Sequence, residues 1–101
     1  MLFAMIRKGG PAWDGSRPLR EQDEWDEHAA FMDGLFDEGF LVMAGPLGDG
    51  TPEHRVLLIF DADSETAIDA RLAEDIWTQT GTLSTVSLEP WNVLLGEFGG
   101  P

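Results

Sequence analysis

The stretch Trp25 to Pro46, WDEHAAFMDGLFDEGFLVMAGP, leaves the chain the fewest options. As a helix it sets Trp25, Ala29, Met32, Leu35 and Phe36 on one stripe at the i, i+4, i+7 spacing of an amphipathic face, and His28 falls on the same stripe. Asp26, Glu27, Asp33 and Asp37 occupy the opposite, solvent-facing side. Gly39 supplies the left-handed residue that ends a helix, and Phe40 to Ala44 is a short apolar strand stopped by Gly45-Pro46. The pattern predicts a helix that returns directly into a buried strand, with an ionisable imidazole on its core side.

The flanking segments extend this unit. Leu2 to Ile6 is apolar on both faces and too short for a helix, which predicts a central strand covered from both sides; His54 to Phe60 reads as another. Between the first strand and the helix, residues 8–20 carry Gly9-Gly10-Pro11, Gly15 and Pro18, which predicts a long loop, and the helix should begin near Glu21 or Asp23. The run Gly45 to Pro52 fits a hairpin with an extended tip. Asp63 or Ser64 can cap a second helix over Glu65 to Glu74, closed by Asp75-Ile76-Trp77, with Ala67, Ile68, Arg71 and Leu72 on its thin inner side. Thr82 to Leu88 is rich in β-branched residues and reads as the last strand, with Trp91 to Leu95 as an edge extension beyond Pro90 and Glu97 to Pro101 as a frayed tail. The order strand, helix, strand, strand, helix, strand predicts an α+β, ferredoxin-like fold: one domain, with a four-stranded antiparallel sheet and both helices on one face. Strands that are apolar on both sides need a cover for the second face. An identical subunit supplies it, so a homodimer through the sheet face is expected.

Composition narrows the partners. With 19 acidic and 6 basic residues the formal charge is −13, a field that repels phosphate backbones and anionic membranes, so neither nucleic acid nor a membrane is expected. Four Trp, six Phe and a 43% hydrophobic content are enough for a packed core in a chain of 101 residues. There is no cysteine, hence no disulfide, thiolate nucleophile or cysteine metal site. The opening MLFAMIRK meets a charge at Arg7 and has no signal-peptide pattern, and no apolar segment reaches membrane-span length. A soluble, cytoplasmic protein is the expectation.

Several features together resemble the YciI-like (YCII-related) family of the dimeric α/β-barrel type. They are a histidine-bearing helix followed by Gly39, an apolar strand and Ala44-Gly45-Pro46; then Asp75-Ile76-Trp77 where the family has Asp-Pro-aromatic; then Gly81; and the ending Glu89-Pro90-Trp91. The resemblance covers nearly the whole chain. It implies a ferredoxin-like fold, a homodimer and a His-Asp active site, with His28 as the histidine and Asp75 as the best match to the aspartate. The chain departs from the family at Ile76 and in the long insertion 8–20.

From the residues themselves, His28 is a candidate general acid or base, because imidazole is the side chain that exchanges protons near neutral pH. The plainer account is a core histidine held by a backbone carbonyl. Asp75, taken as a helix C-terminal residue, is badly placed for the helix dipole, which suggests another use; its plainer account is a solvated end. Met32, Phe31 and Trp77 are candidate pocket walls or core, and Gly45-Pro46 would let a backbone approach a ligand or simply turn. Trp13, in the long loop, either folds back over the core edge or walls a pocket under a lid. Asp14 and Asp49 are alternative carboxylates for His28. No metal pattern, phosphate loop or GxSxG motif is present. The expected function is cofactor-free, isomerase- or lyase-like proton transfer on a small, partly apolar substrate, with a non-catalytic homodimeric ligand-binding or accessory module as the alternative.

Overall fold

In the computed structural model, which describes residues 1–48 and 53–96, the elements run β1 (Leu2–Gly9), α1 (Trp25–Asp37), β2 (Leu41–Pro46), β3 (Val56–Asp61), α2 (Glu65–Leu72), α3 (Ile76–Thr80) and β4 (Leu83–Pro90). The sheet order is β2-β3-β1-β4 with every neighbouring pair antiparallel, the ferredoxin-like α+β arrangement. The expected hairpin tip around Asp49 and the tail 97–101 lie outside the described residues.

The two strands that read as apolar on both faces take the centre. Their register pairs Phe3 with Phe60, Met5 with Leu58 and Arg7 with Val56, and these residues alternate toward the helices. Phe3, Met5, Leu58 and Phe60 join Leu35 of α1, Leu41 of β2, and Ile68 and Leu72 of α2 in one buried cluster. Ala4, Ile6, Leu57 and Ile59 lie on the other side of the sheet by the same alternation.

Several boundaries differ from the sequence expectation, each for a local reason. The irregular segment starts at Gly10, because Arg7, Lys8 and Gly9 pair with Thr85, Ser84 and Leu83 and lengthen β1. The segment is far from formless. Gln22 is buried, accepts from the Asp14 amide at 2.9 Å, and donates to the carbonyls of Asp14 at 2.7 Å and Arg17 at 2.8 Å. That commitment, with Glu24 in the left-handed region at φ 63°, delays α1 until Trp25. Leu19–Glu21 forms a separate 3-10 turn. On α1, His28 and Leu35 are buried, whereas Phe36, expected in the core, is 58% exposed. Phe36 lines a cavity together with Met32, whereas Leu35 beside it packs into the core.

The second helix ends at Leu72, after starting on a Ser64 cap whose hydroxyl accepts from the Ala67 amide at 3.1 Å. What read as its closing turn is an independent helix, α3, ended by Gly81 at φ 80°. β4 runs through Pro90, which an edge strand tolerates, and Trp91 to Leu95 adds no further strand.

Gly10 presses on the end of α3: its amide donates to the Thr82 carbonyl at 2.9 Å, and a Cβ at this position would stand 2.3 Å from the Gly81 carbonyl oxygen. Gly10→Ala is therefore expected to lower stability by about 1–3 kcal/mol, as overpacking against backbone does. Chemical denaturation measures this, and an unchanged midpoint would mean that the two loops separate freely.

Candidate active site

α3 is short, and its first residues hold the site together. Asp75 occupies the N-cap, where its Oδ1 accepts the Trp77 amide at 3.3 Å; a carboxylate belongs there, facing the positive end of the helix. This corrects the reading of Asp75 as a C-terminal, unfavourably placed residue. Its side chain is fully buried.

His28 reaches it from the first turns of α1, 47 residues away in sequence, with Nδ1 2.9 Å from both carboxylate oxygens. An ionised carboxylate only accepts, so a neutral imidazole facing one carries its hydrogen on Nδ1 and keeps the lone pair on Nε2. The imidazole lies flat on Trp77, with ring centroids 4.0 Å apart and planes 10° from parallel. Trp77 is fixed in turn by donation from its indole Nε1 to the Asp23 carbonyl at 2.7 Å. Trp25 leans against both rings, at 6.0 Å from His28 and 5.8 Å from Trp77.

Arg7 completes the cluster from β1. Its side chain is 2% exposed, its Nη1 stands 3.6 Å from Asp75 Oδ2, and its Nη2 donates to Thr78 Oγ1 at 2.9 Å. At 3.6 Å the Asp75 contact is an ion pair and not a hydrogen bond, so Nε and Nη1 are buried without a hydrogen-bond partner. Burial pulls the guanidinium below its usual range, and the charge of Asp75 opposes that.

These groups border a cavity of about 540 Å³ between α1 and the β2 side of the sheet. Of the residues singled out from the sequence, His28, Met32, Gly45, Pro46 and Trp77 line it. Asp75 lies behind His28. Trp13 stands one layer back, edge-on to Trp77 at 6.0 Å and stacked on His54 at 4.3 Å. A Cβ added to Gly45 would meet nothing, so this part of the wall faces open space. Phe31 packs on the core and is not in the lining. Asp14 is spent within the long loop, where the Ser16 hydroxyl and amide, and then Arg17, hold its carboxyl below the usual range. Among the described residues, Asp75 is thus the carboxylate in contact with His28. Among the described residues no group of three or more His, Cys, Asp or Glu side chains could hold a metal ion.

Among the lining residues that were not singled out, Arg7 and His54 bring polar chemistry to the cavity. Arg7 read as the charge that ends an apolar run, yet Phe3, Met5 and Arg7 share the inward period of β1, which was the available signal. His54 read as the first residue of β3; it precedes that strand in a left-handed conformation, φ 50°, which no sequence pattern disclosed. Burial, and then the charge of His28, push its pKa below the ordinary imidazole value.

Comparison with known proteins matches residues 1–92 to the YCII-related domain. No curated protein matches the chain. Among solved structures, the chain is similar to the 5-chloro-2-hydroxyhydroquinone dehydrochlorinase of Burkholderia phenoliruptrix in complex with 2,5-dihydroxybenzoquinone, at 29% identity and a TM-score of 0.66, over 91% of this chain and 94% of that one.

Proposed function

The chain belongs to the YCII-related family, and from that membership we propose that it is a cofactor-free enzyme in which His28 moves a proton on a small, planar, oxygen-bearing substrate. The observation that carries the reading is the His28 to Asp75 contact: a buried carboxylate fixes the hydrogen on Nδ1 and leaves Nε2 as the base at the cavity wall. When Nε2 takes a proton, the imidazolium lies against Asp75, which stays ionised and stabilises it. Arg7 offsets the charge of Asp75 while the imidazole is neutral. Trp77 and Trp25 keep the ring from rotating, so orientation is set before substrate arrives.

The substrate class follows from the walls. Aromatic planes and Met32 favour a flat, partly apolar ring, and the similar dehydrochlorinase holds a dihydroxyquinone. A dehydrochlorination fits one base: the proton leaves to the base, its electron pair forms the new double bond, and chloride departs with its own pair. That places the proposed chemistry in the isomerase and lyase class.

Titration with 2,5-dihydroxybenzoquinone, followed by NMR of the His28 ring and the Trp77 indole, tests the site; chloride release from 5-chloro-2-hydroxyhydroquinone tests the reaction. Movement of both resonances in the wild type and loss of turnover in His28→Gln is the expected result. A His28 ring indifferent to the quinone and to its chlorinated relatives would overturn the proposal.

The proposed assembly is a homodimer through the face opposite the helices. Ala4, Ile6, Leu57 and Ile59 lie there, beside Met43, which pairs with Ile59 and is 47% exposed. Light scattering is expected to give twice the 11.1 kDa of one chain, and Ile6→Lys to return it to one. A wild-type monomer at micromolar concentration would refute the dimer. Cytoplasmic placement is likewise proposed, since a cysteine-free fold asks nothing of an oxidising compartment.

A further inference from the structure

We propose that His54 is a second substrate-contacting residue of the same cavity, its ring N–H donating a hydrogen bond to the substrate oxygen that gains charge as His28 removes the proton. The inference rests on the acid–base reading of His28 and adds the electrophilic partner that such a step requires. In the elimination proposed above, the pair left when His28 takes a proton beside a carbonyl rests on that oxygen until it forms the double bond and chloride leaves with the C–Cl pair. The base accounts for the proton, and the charge on oxygen needs a donor aimed at it.

The geometry supplies one. His54 lines the cavity from the loop that leads into β3, whereas His28 lines it from α1. Its backbone sits at φ 50°, a strained conformation for a non-glycine residue and one that gathers at functional sites. The ring is not left to wander, because Trp13 stacks on it with planes 8° apart. Trp13 also meets Trp77 edge-on, and Trp77 carries His28, so the two imidazoles belong to one continuous aromatic wall. Their relative placement is set by ring contacts and not by the loop alone.

The protonation state suits the role. Burial, and the charge of His28 once it has taken a proton, disfavour a charged His54, so it offers one N–H as an uncharged donor. No proton has to leave His54 for the step to balance: His28 gains the proton, the substrate oxygen gains the charge, and the hydrogen bond to it strengthens. This arrangement also assigns the long loop a purpose, since Trp13 is the residue that holds the donor in plane.

The test is binding of 2,5-dihydroxybenzoquinone to the full chain, with the ring resonances of both histidines followed in the wild type and affinities compared for His54→Ala and His54→Asn. Loss of one such hydrogen bond is expected to weaken binding about tenfold in His54→Ala. His54→Asn keeps an N–H donor and tolerates the left-handed backbone, so it should recover part of that loss. In the wild type both rings should shift on binding. A His28 ring that shifts while His54 stays still, with His54→Ala binding as tightly as wild type, would overturn this proposal and leave the acid–base reading standing. Silence from both rings would remove both.

Discussion

Asp75→Ala is expected to destabilise the protein by about 3–5 kcal/mol, the cost of leaving a buried charge without its partner. Three losses coincide at this position. The Arg7 guanidinium, already short of hydrogen bonds, loses the anion 3.6 Å away. The Trp77 amide loses its N-cap acceptor, and His28 Nδ1 loses the group that fixes its hydrogen. A domain of this size has a total stability of roughly 5–15 kcal/mol, so the variant should be partly unfolded at modest denaturant concentrations. Urea denaturation followed by circular dichroism measures the effect. Adding Arg7→Met should restore much of the loss, because the stranded charge then disappears with its partner. An Asp75→Ala protein within 1 kcal/mol of wild type would mean that water reaches the guanidinium and that the cluster is wetter than its burial suggests.

His28→Gln is expected to leave the fold largely intact and to lower turnover by about 10²- to 10⁴-fold, the usual worth of a positioned base. The glutamine amide can still donate to Asp75, so the buried carboxylate keeps a partner and the ion pair with Arg7 survives. What disappears is the lone pair on Nε2. The measurement is kcat on a substrate that the wild type turns over, beside a denaturation curve for each protein. Unchanged turnover would assign His28 a purely structural role and favour a ligand-binding dimer. A collapse in stability with no folded fraction to assay would show that the flat contact with Trp77, which an amide cannot reproduce, was holding α1 to α3.

The fold was legible wherever hydrophobic periodicity was strong. The two apolar runs announced β1 and β3 as central strands, and Gly39 and Ser64 marked a helix end and a helix start that the structure repeats. What periodicity could not convey was the division of one helix into two. Asp75 pairs with groups on α1 and β1, and such distant partners leave no trace in the spacing around it. The same limit hid Arg7. A basic residue ending an apolar run looks like a boundary, and only the position of Asp75 across the interior shows why it is buried. His54 was missed for a different reason: a left-handed histidine has no signature comparable to that of glycine. Phe36 was placed in the core because a helical stripe does not reveal where the helix stands away from the sheet.

The indole rings around the cavity have a spectroscopic consequence. Three of the four tryptophans, Trp13, Trp25 and Trp77, are joined by ring contacts of 5.8 to 6.0 Å. At such separations excitation passes readily among the three, so quenching of one drains emission from all. Any occupant that absorbs in the near ultraviolet would darken this trio together. Occupancy is therefore written into the intrinsic fluorescence of the unlabelled protein.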